Sequence, residues 1–319
     1  MKSLVSIITP LFNRLDLVPE TWAAIKAQTY IDWEWIVVDD GSTDGSDTYI
    51  KELSQTDSRI QLYYRKSLPK GPSRCRNLGV QMAKGDYLLF LDSDDIITST
   101  CIEKRVDFIQ QHPLLDFAVF TQATFEKNIN NYKIFGKYYD KPNEYLESFL
   151  MDSPPWCISG PMWRKESFIN TGRFREDYTI MEDPELHIRA ILQGLDFEVV
   201  EGAPDFFYRL LPKTPEQEQV FRHNSIIGRM RFYFDLLPTL NLKHHRQAIS
   251  KGILNLYKNF LLARIKTYHT EHQDFLAWVE TKKLINPGKI KLIKVYTVFA
   301  MHSLLTRIPL AKGFLFKLI

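Results

Sequence analysis

Residues 33–46 read Trp33-Glu34-Trp35-Ile36-Val37-Val38-Asp39-Asp40-Gly41-Ser42-Thr43-Asp44-Gly45-Ser46, a strand, a turn and a helix start in one block. An unbroken apolar run at 35–38 has the character of a strand buried on both faces. It stops abruptly at two carboxylates and a glycine, and the polar turn opens a helix over 47–54. The same grammar holds on either side. Upstream, a β-branched apolar run at 4–9 ends at Thr9-Pro10, and helical spacing follows over 17–28 with Asp16 able to cap it. Downstream come a strand at 60–64, a helix at 72–84 stopped by Gly85, and a strand at 87–91 that runs into Asp92-Ser93-Asp94-Asp95. Strand–helix alternation of this kind predicts an open, mixed but mostly parallel sheet with helices on both faces. Ligands of such sheets bind beyond the carboxyl ends of the strands. The polar clusters at 9–13, 39–44 and 92–95 therefore converge on one rim.

The chain has 319 residues, enough for one large domain or two modest ones. Apolar residues at 45% and charged residues at 25% exclude global disorder. A net charge of +3 argues against a dedicated nucleic-acid binder. Cys75, Cys101 and Cys157 form no CxxC pair and read as reduced thiols of a cytoplasmic protein. The short apolar run after Met1 lacks the basic region, long apolar core and cleavage site of a secretory leader, so none is expected. Residues 295–305, interrupted by Thr297, His302 and Ser303, are about half the ~20 residues a membrane span needs.

Beyond residue 95 the pattern loosens. It predicts a helix at 99–112, a strand at 117–124, a Tyr- and Asn-rich loop at 127–139, and a short helix at 144–150. Irregular chain at 152–161 precedes a helix at 164–170. A clear helix follows at 184–193, with Asp183 at the cap, Pro184 at the first helical position and Gly194 just past the end. Strands at 197–200 and 205–210 complete a domain of residues 1–215, divided near residue 98. A boundary at 212–218 leads to a helical region, 216–319.

Three clusters carry chemistry. Asp92, Asp94 and Asp95 repel one another unless a cation offsets them, and make an oxygen-rich site for Mg²⁺ or Mn²⁺; a capped helix start is the plainer reading. Asp39 and Asp40 stand at a strand end, where a carboxylate accepts hydrogen bonds from a base or ribose; a turn with its own cap is the alternative. Glu182-Asp183 stands at a helix start, whose dipole favours an ionised carboxylate fit to act as a general base; a simple N-cap is the alternative.

The order of these blocks resembles family 2 glycosyltransferases, an inverting group with the GT-A fold and a Rossmann-like nucleotide half. The residues that carry the resemblance begin with Val5-Ser6-Ile7-Ile8-Thr9-Pro10-Leu11-Phe12-Asn13-Arg14, then Gln28-Thr29-Tyr30 and the 33–46 block. Arg76-Asn77-Leu78-Gly79, Ala83-Lys84-Gly85-Asp86-Tyr87 and Phe90-Leu91-Asp92-Ser93-Asp94-Asp95 follow, and Gly172-Arg173-Phe174, Glu182-Asp183 and Arg189 complete it. The resemblance implies donor contacts at Thr9, Pro10, Phe12, Asp39, Asp40, Arg76, Asp92 and Ser93. It implies a divalent metal on Asp94 and Asp92, and a base at Asp183 with Glu182 as the alternative. It further implies transfer of a hexose from a nucleotide sugar, UDP-linked foremost, to a saccharide or lipid-linked saccharide in surface polysaccharide assembly. The Gln-x-x-Arg-Trp element of processive synthases is absent, so a non-processive, bacterial-type enzyme is expected. Where the family often shows Trp after Glu-Asp, Pro184 stands here. A non-catalytic nucleotide-sugar-binding homologue and a sugar-nucleotide pyrophosphorylase are the alternatives. The intact acids speak against the first, and the lack of glycine at 9–14 against the second.

The near-neutral charge hides a segregation. After Glu280 there are eight basic residues and no acidic one, so +3 separates into −5 and +8. A basic tail at 281–319 that also carries Val295, Tyr296, Phe299, Leu304, Leu305 and Phe314 to Phe316 suits an anionic membrane surface, placing the protein peripherally on the inner face of the cell membrane. Packing of the tail on the domain is the alternative. Trp156 and Trp163 offer a stacking face for an acceptor sugar or core packing, and Tyr208-Arg209 either opens a closing loop or forms a strand with Tyr inward and Arg outward. His187 reads as surface or packing, and His244-His245 as lacking acidic partners.

Overall fold

The computed structural model describes residues 3–66 and 68–301. In chain order the strands are β1 (Val5–Leu11), β2 (Trp33–Asp39), β3 (Ile60–Tyr64), β4 (Tyr87–Phe90), β5 (Ile96–Ile97), β6 (Phe117–Phe120), β7 (Gln122–Phe125), β8 (Lys133–Phe135), β9 (Pro161–Arg164), β10 (Phe197–Val200) and β11 (Phe206–Arg209). The α-helices are α1 (Val18–Lys26), α2 (Ser46–Thr56), α3 (Pro72–Met82), α4 (Cys101–Gln111), α5 (Pro142–Leu150), α6 (Lys165–Asn170), α7 (Glu182–Leu192), α8 (Pro215–Leu236), α9 (Leu242–Leu256), α10 (His269–Thr281) and α11 (Pro287–Met301). They group into two units, Met1–Asp140 with Pro155–Pro212, and Lys141–Pro154 with Lys213–Ile319.

The first unit is built on a seven-stranded sheet in the order β10-β6-β9-β4-β1-β2-β3. All its pairings are parallel except those of β9, which runs antiparallel to β4 and β6. The expected mostly parallel sheet is therefore present. Its helices lie on both faces: Val5, Ile7 and Leu11 of β1 share a core with Trp22 of α1, Ile50 of α2 and Val106 of α4. Ile8, pointing the other way, packs against α3 so closely that a Cβ on Gly79 would lie 2.4 Å from its Cγ2. Phe90 on that face meets Phe168 of α6 at 4.9 Å between rings. The fully buried indoles of Trp33 and Trp35 anchor β2, with Trp35 stacked on Trp22 at 5.4 Å. Burying side chains of this size is worth about 1.5–3 kcal/mol each. A second sheet has the strand order β5-β11-β7-β8.

Several local expectations are corrected. The strand foreseen at 117–124 breaks at Thr121 into β6 and β7, which belong to different sheets. Residues 161–164, with Pro161 read as irregular chain, Arg164 as a helix start and 162–163 unassigned, form β9; at four residues, inserted antiparallel, it is too short to show periodicity. Asp16 does not cap α1. Helix α7 starts two residues early, so Asp183 and Pro184 lie within its first turn, and Met181 takes the preceding position with φ of +70°. Pro is tolerated there because first-turn N–H groups have no intrahelical acceptor.

In the second unit Gly252 of α9 admits a close approach, since a Cβ there would lie 2.0 Å from the Tyr233 hydroxyl. That hydroxyl donates to the Leu150 carbonyl at 3.1 Å and joins α5 to α8. Arg229 and Asp152, both largely buried, pair at 2.8 Å. His245 has an acidic partner after all, Glu147 at 2.8 Å, contributed from almost a hundred residues upstream. No described helix is long and apolar enough to cross a membrane. Residues 302–319 of the basic tail, with Arg307, Lys312 and Lys317, lie outside the described residues.

Candidate active site

Beyond β1 and β2 the loops are laced together. Asn13 N donates to Ser42 Oγ at 3.0 Å, and Thr43 N to Asn13 Oδ1 at 2.8 Å. Arg14 N donates to Ser46 Oγ at 2.8 Å, and Leu15 N to Asp44 Oδ2 at 3.0 Å. The Arg14 side chain extends the lacing to the β4 end, with Nε 3.1 Å from Asp94 Oδ2. Gly41 permits the turn, at φ of +84°.

Asp39 and Asp40 point apart. Asp39 accepts from Gly41 N at 2.8 Å and Ser42 N at 3.1 Å, the geometry of a self-capped turn. Asp40 pairs with Arg65 and accepts from Gly71 N at 2.8 Å, fixing the chain before α3. Thr9 is buried, and its hydroxyl accepts from the Trp35 indole at 2.9 Å. Pro10 is half-buried at the end of β1. Phe12 is 45% exposed, with Lys70 Nζ 4.1 Å from its ring centre: an aromatic platform with a cation beside it.

A cavity of about 500 Å³ brings together Arg76, Asp92, Asp95, Glu182 and Asp183, walled by Thr124, Phe135, Cys157, Ser159 and Tyr208. Arg76 of α3 is buried and bridges its two sides. Nη2 meets Asp92 Oδ1 at 2.6 Å, and Nη1 lies 3.6 Å from Glu182 Oε1. Glu182 is pushed above the ordinary carboxylate range by burial, and Arg76 opposes the push. Asp94 is raised by burial and by Asp92, with Arg14 opposing. Asp95 stands well above its ordinary value through burial and the charges of Asp92 and Asp94, while its Oδ1 accepts from Arg209 N at 2.9 Å. Asp95 thus holds β11, and Ser93 beside it is buried.

Asp183 has a partner on its own helix. Its Oδ1 lies 2.8 Å from His187 Nδ1, one turn on. His187 is completely buried, edge-on to Trp156 at 5.5 Å and stacked on Trp163 at 5.9 Å. Trp156 and Trp163 are themselves fully buried, so neither offers a stacking face. The strand reading of Tyr208-Arg209 is reversed: Tyr208 is 40% exposed in the cavity wall, and Arg209 is buried, 2.7 Å from Glu20 and donating to the Asp94 carbonyl at 2.8 Å. Arg14, Ser159 and His187 were missed as site residues, and Asp95, read with the metal-binding acids, instead holds β11. Only His187 left a signal, its i,i+4 spacing from Asp183.

The donor set suits a hard cation. Asp92 and Asp94 offer carboxylate oxygens whose mutual repulsion a divalent ion would relieve. Among the described residues, no group of three or more His, Cys, Asp or Glu side chains is arranged to hold a metal ion unaided.

The fold is a mostly parallel α/β sheet flanked by helices, and the cavity in it is lined by acids. The profile described as "Glycosyl transferase family 2" matches residues 6–170, just over half of the sequence, and the chain belongs to that family. An uncharacterized glycosyltransferase of Haemophilus influenzae is 38% identical over 112 residues, covering 35% of this chain and 44% of that protein. The GalNAc(5)-diNAcBac-PP-undecaprenol beta-1,3-glucosyltransferase of Campylobacter jejuni is 31% identical over 179 residues, 54% of this chain and 55% of that one. The chain thus spans less than half the length of the curated relatives it matches first. In fold it is similar to S. aureus TarS 1–349 in complex with UDP-GlcNAc, with a TM-score of 0.64 at 18% identity over 93% of this chain and 88% of that one.

Proposed function

We propose that the chain transfers a sugar, with inversion, from a nucleoside-diphosphate sugar to a hydroxyl of a glycan or lipid-linked glycan in cell-surface polysaccharide assembly. The observation that carries this reading is the Arg76 bridge, which sets Asp92 of the donor motif and Glu182 of the acceptor motif on one guanidinium. Family membership supports the reaction type. The Campylobacter relative, named for an undecaprenol-linked glycan, supports a lipid-linked acceptor. A UDP-sugar is the favoured donor.

Residues 1–98 serve the donor in this reading, residues 99–215 the acceptor, and 216–319 form the helical region. Phe12 and Asp39 receive the base, on a floor shaped by Thr9, Pro10 and Asp40. Arg76, Asp92 and Ser93 flank the diphosphate. Asp94 and Asp92 would hold Mg²⁺ or Mn²⁺, which when bound supplies positive charge against the leaving diphosphate. Asp183 accepts the proton of the attacking hydroxyl. Glu182 is the poorer base because Arg76 already engages it. His187 Nδ1, 2.8 Å from Asp183 Oδ1, supports that carboxylate from within the same helix. Attack opposite the leaving group inverts the anomeric carbon and needs no covalent sugar–protein intermediate. The basic residues at 281–319 would hold the protein on the inner membrane surface, where a lipid-linked acceptor resides.

Incubation with a panel of nucleotide sugars, Mn²⁺ and undecaprenol-linked saccharides tests the proposal. Acceptor-dependent release of nucleoside diphosphate is expected. Donor binding without turnover across the panel, or diphosphate-dependent nucleotide exchange, would overturn it.

A further inference from the structure

The helical unit holds a second cavity, of about 910 Å³, that sugar transfer does not use. Five cations line it: Lys243, Arg246 and Lys251 of α9, Lys283 after α10, and Lys289 in the first turn of α11. Its one carboxylate, Glu280, is already met by Lys294 Nζ at 2.7 Å. Arg246 donates to the Lys283 carbonyl, which fixes the guanidinium across the turn between α10 and α11. The 15-residue α11 begins at the cavity wall, so its positive dipole end adds to the lysines, while the N–H groups of Gly288, Lys289 and Ile290 are already taken by Asn286.

The floor is of the opposite kind. Leu284, Ile285 and Ile290 are buried and Leu254 is half-buried. Among the described residues no Phe, Tyr or Trp lines the cavity, and its one aromatic ring is the His244 imidazole. A cationic rim over an aliphatic floor fits an anion that carries hydrocarbon. Farther along α11, Val295, Val298 and Met301 are 36%, 56% and 40% exposed, with exposed Lys291 and Lys294 beside them. Apolar side chains rimmed by lysines are the form of a helix lying in a membrane interface.

We propose that this cavity binds the phosphate headgroup of an anionic phospholipid, so that α11 lies on the bilayer surface. The inference rests on the membrane-surface part of the reading above. It gives that contact a place that includes α9, and a ligand chemistry.

The test uses the full chain and co-sedimentation with vesicles of phosphatidylcholine, with and without phosphatidylglycerol. Wild type is expected to bind only the anionic vesicles. Charge reversal at the cavity (Lys243→Glu, Lys251→Glu, Lys283→Glu) should weaken binding by at least ~100-fold, from roughly fivefold for each lysine lost, with the added carboxylates weakening it further. The same change at exposed Lys51, Lys84 and Lys104 of the other unit should leave it unchanged, as a measure of net charge alone. The milder Lys→Gln triple variant, with an unaltered circular-dichroism melt, should show the same direction. Equal binding by wild type and the cavity variant would overturn the cavity and leave the membrane reading standing. Equal binding to neutral vesicles, or none to either, would overturn both. A rise in thermal midpoint with inorganic diphosphate, lost in the cavity variant but without vesicle binding by wild type, would assign the site to a free anion and overturn the lipid.

Discussion

Replacing Arg105 with Met is expected to destabilise the first unit by about 3–5 kcal/mol, the cost of breaking a buried ion pair from one side. The side chains of Arg105 and Asp205 are 0% and 5% exposed. Nε and Nη2 of Arg105 hold both oxygens of Asp205, at 2.8 and 2.6 Å, and Nη1 donates to the Ser159 carbonyl at 2.9 Å. Met fills the space of the arginine stem. It leaves a carboxylate charge in the core and a carbonyl without its donor. The double variant Arg105→Met, Asp205→Leu removes the stranded charge as well. It should recover to within about 1–3 kcal/mol of wild type, the remainder being the unpaired carbonyl. Five of the six tryptophans, Trp22, Trp33, Trp35, Trp156 and Trp163, belong to this unit, so fluorescence-detected melting reports on it selectively. At roughly 2–4 °C per kcal/mol, the single variant should melt about 10 °C below wild type. A single variant within 1 kcal/mol of wild type, or a double variant less stable than the single, would refute the reasoning.

Asp183→Asn should lower transfer by about 10²–10⁴-fold while donor binding by calorimetry is unchanged; undiminished transfer would move the base elsewhere. His187→Phe should lower kcat by roughly 10–100-fold with donor KM unchanged, since it would release Asp183 from its partner without touching the donor; His187→Gln should restore part of the loss, and a change confined to the thermal midpoint would make the histidine purely structural. Mn²⁺ should raise the thermal midpoint of wild type and leave that of Asp94→Ala unmoved, and equal shifts would place the cation elsewhere. In the second unit, burial lowers the pKa of His272 to about 4, helped by the charge of His269. The unfolded chain therefore takes up this proton first, so stability is level above pH ~6.5 and falls as pH drops toward 4. Far-ultraviolet circular-dichroism melts should show that slope in wild type and a flatter one in His272→Gln; parallel slopes would contradict it.

The parallel half of the sheet was legible because each strand is an unbroken apolar run that ends at a polar turn, as in residues 35–41. β9 was not legible, because its four residues owe their conformation to the two neighbours they pair with, β4 and β6. The acids at 92–95 and 182–183 announced themselves by type and spacing, but their division of labour did not. That division is set by Arg76, Arg14 and His187, partners that the fold selects. Arg209 and Tyr208 show the limit most sharply. Strand alternation says they face opposite ways, and only the position of Glu20 and the Asp94 carbonyl says which of them turns inward.

The lacing of the loops beyond β1 and β2 bears on how those loops can change. Each hydrogen bond there runs from the backbone of one loop to a side chain of the other, so neither loop owns its shape. An exchange of residues 12–15 alone would strip the Thr43 N–H of its acceptor, Asn13 Oδ1, and an exchange of 41–46 alone would strip the N–H groups of Asn13, Arg14 and Leu15 of Ser42, Ser46 and Asp44. Natural variation and laboratory recombination alike must therefore move the two loops as one cassette, and Arg14 carries Asp94 into the same inheritance.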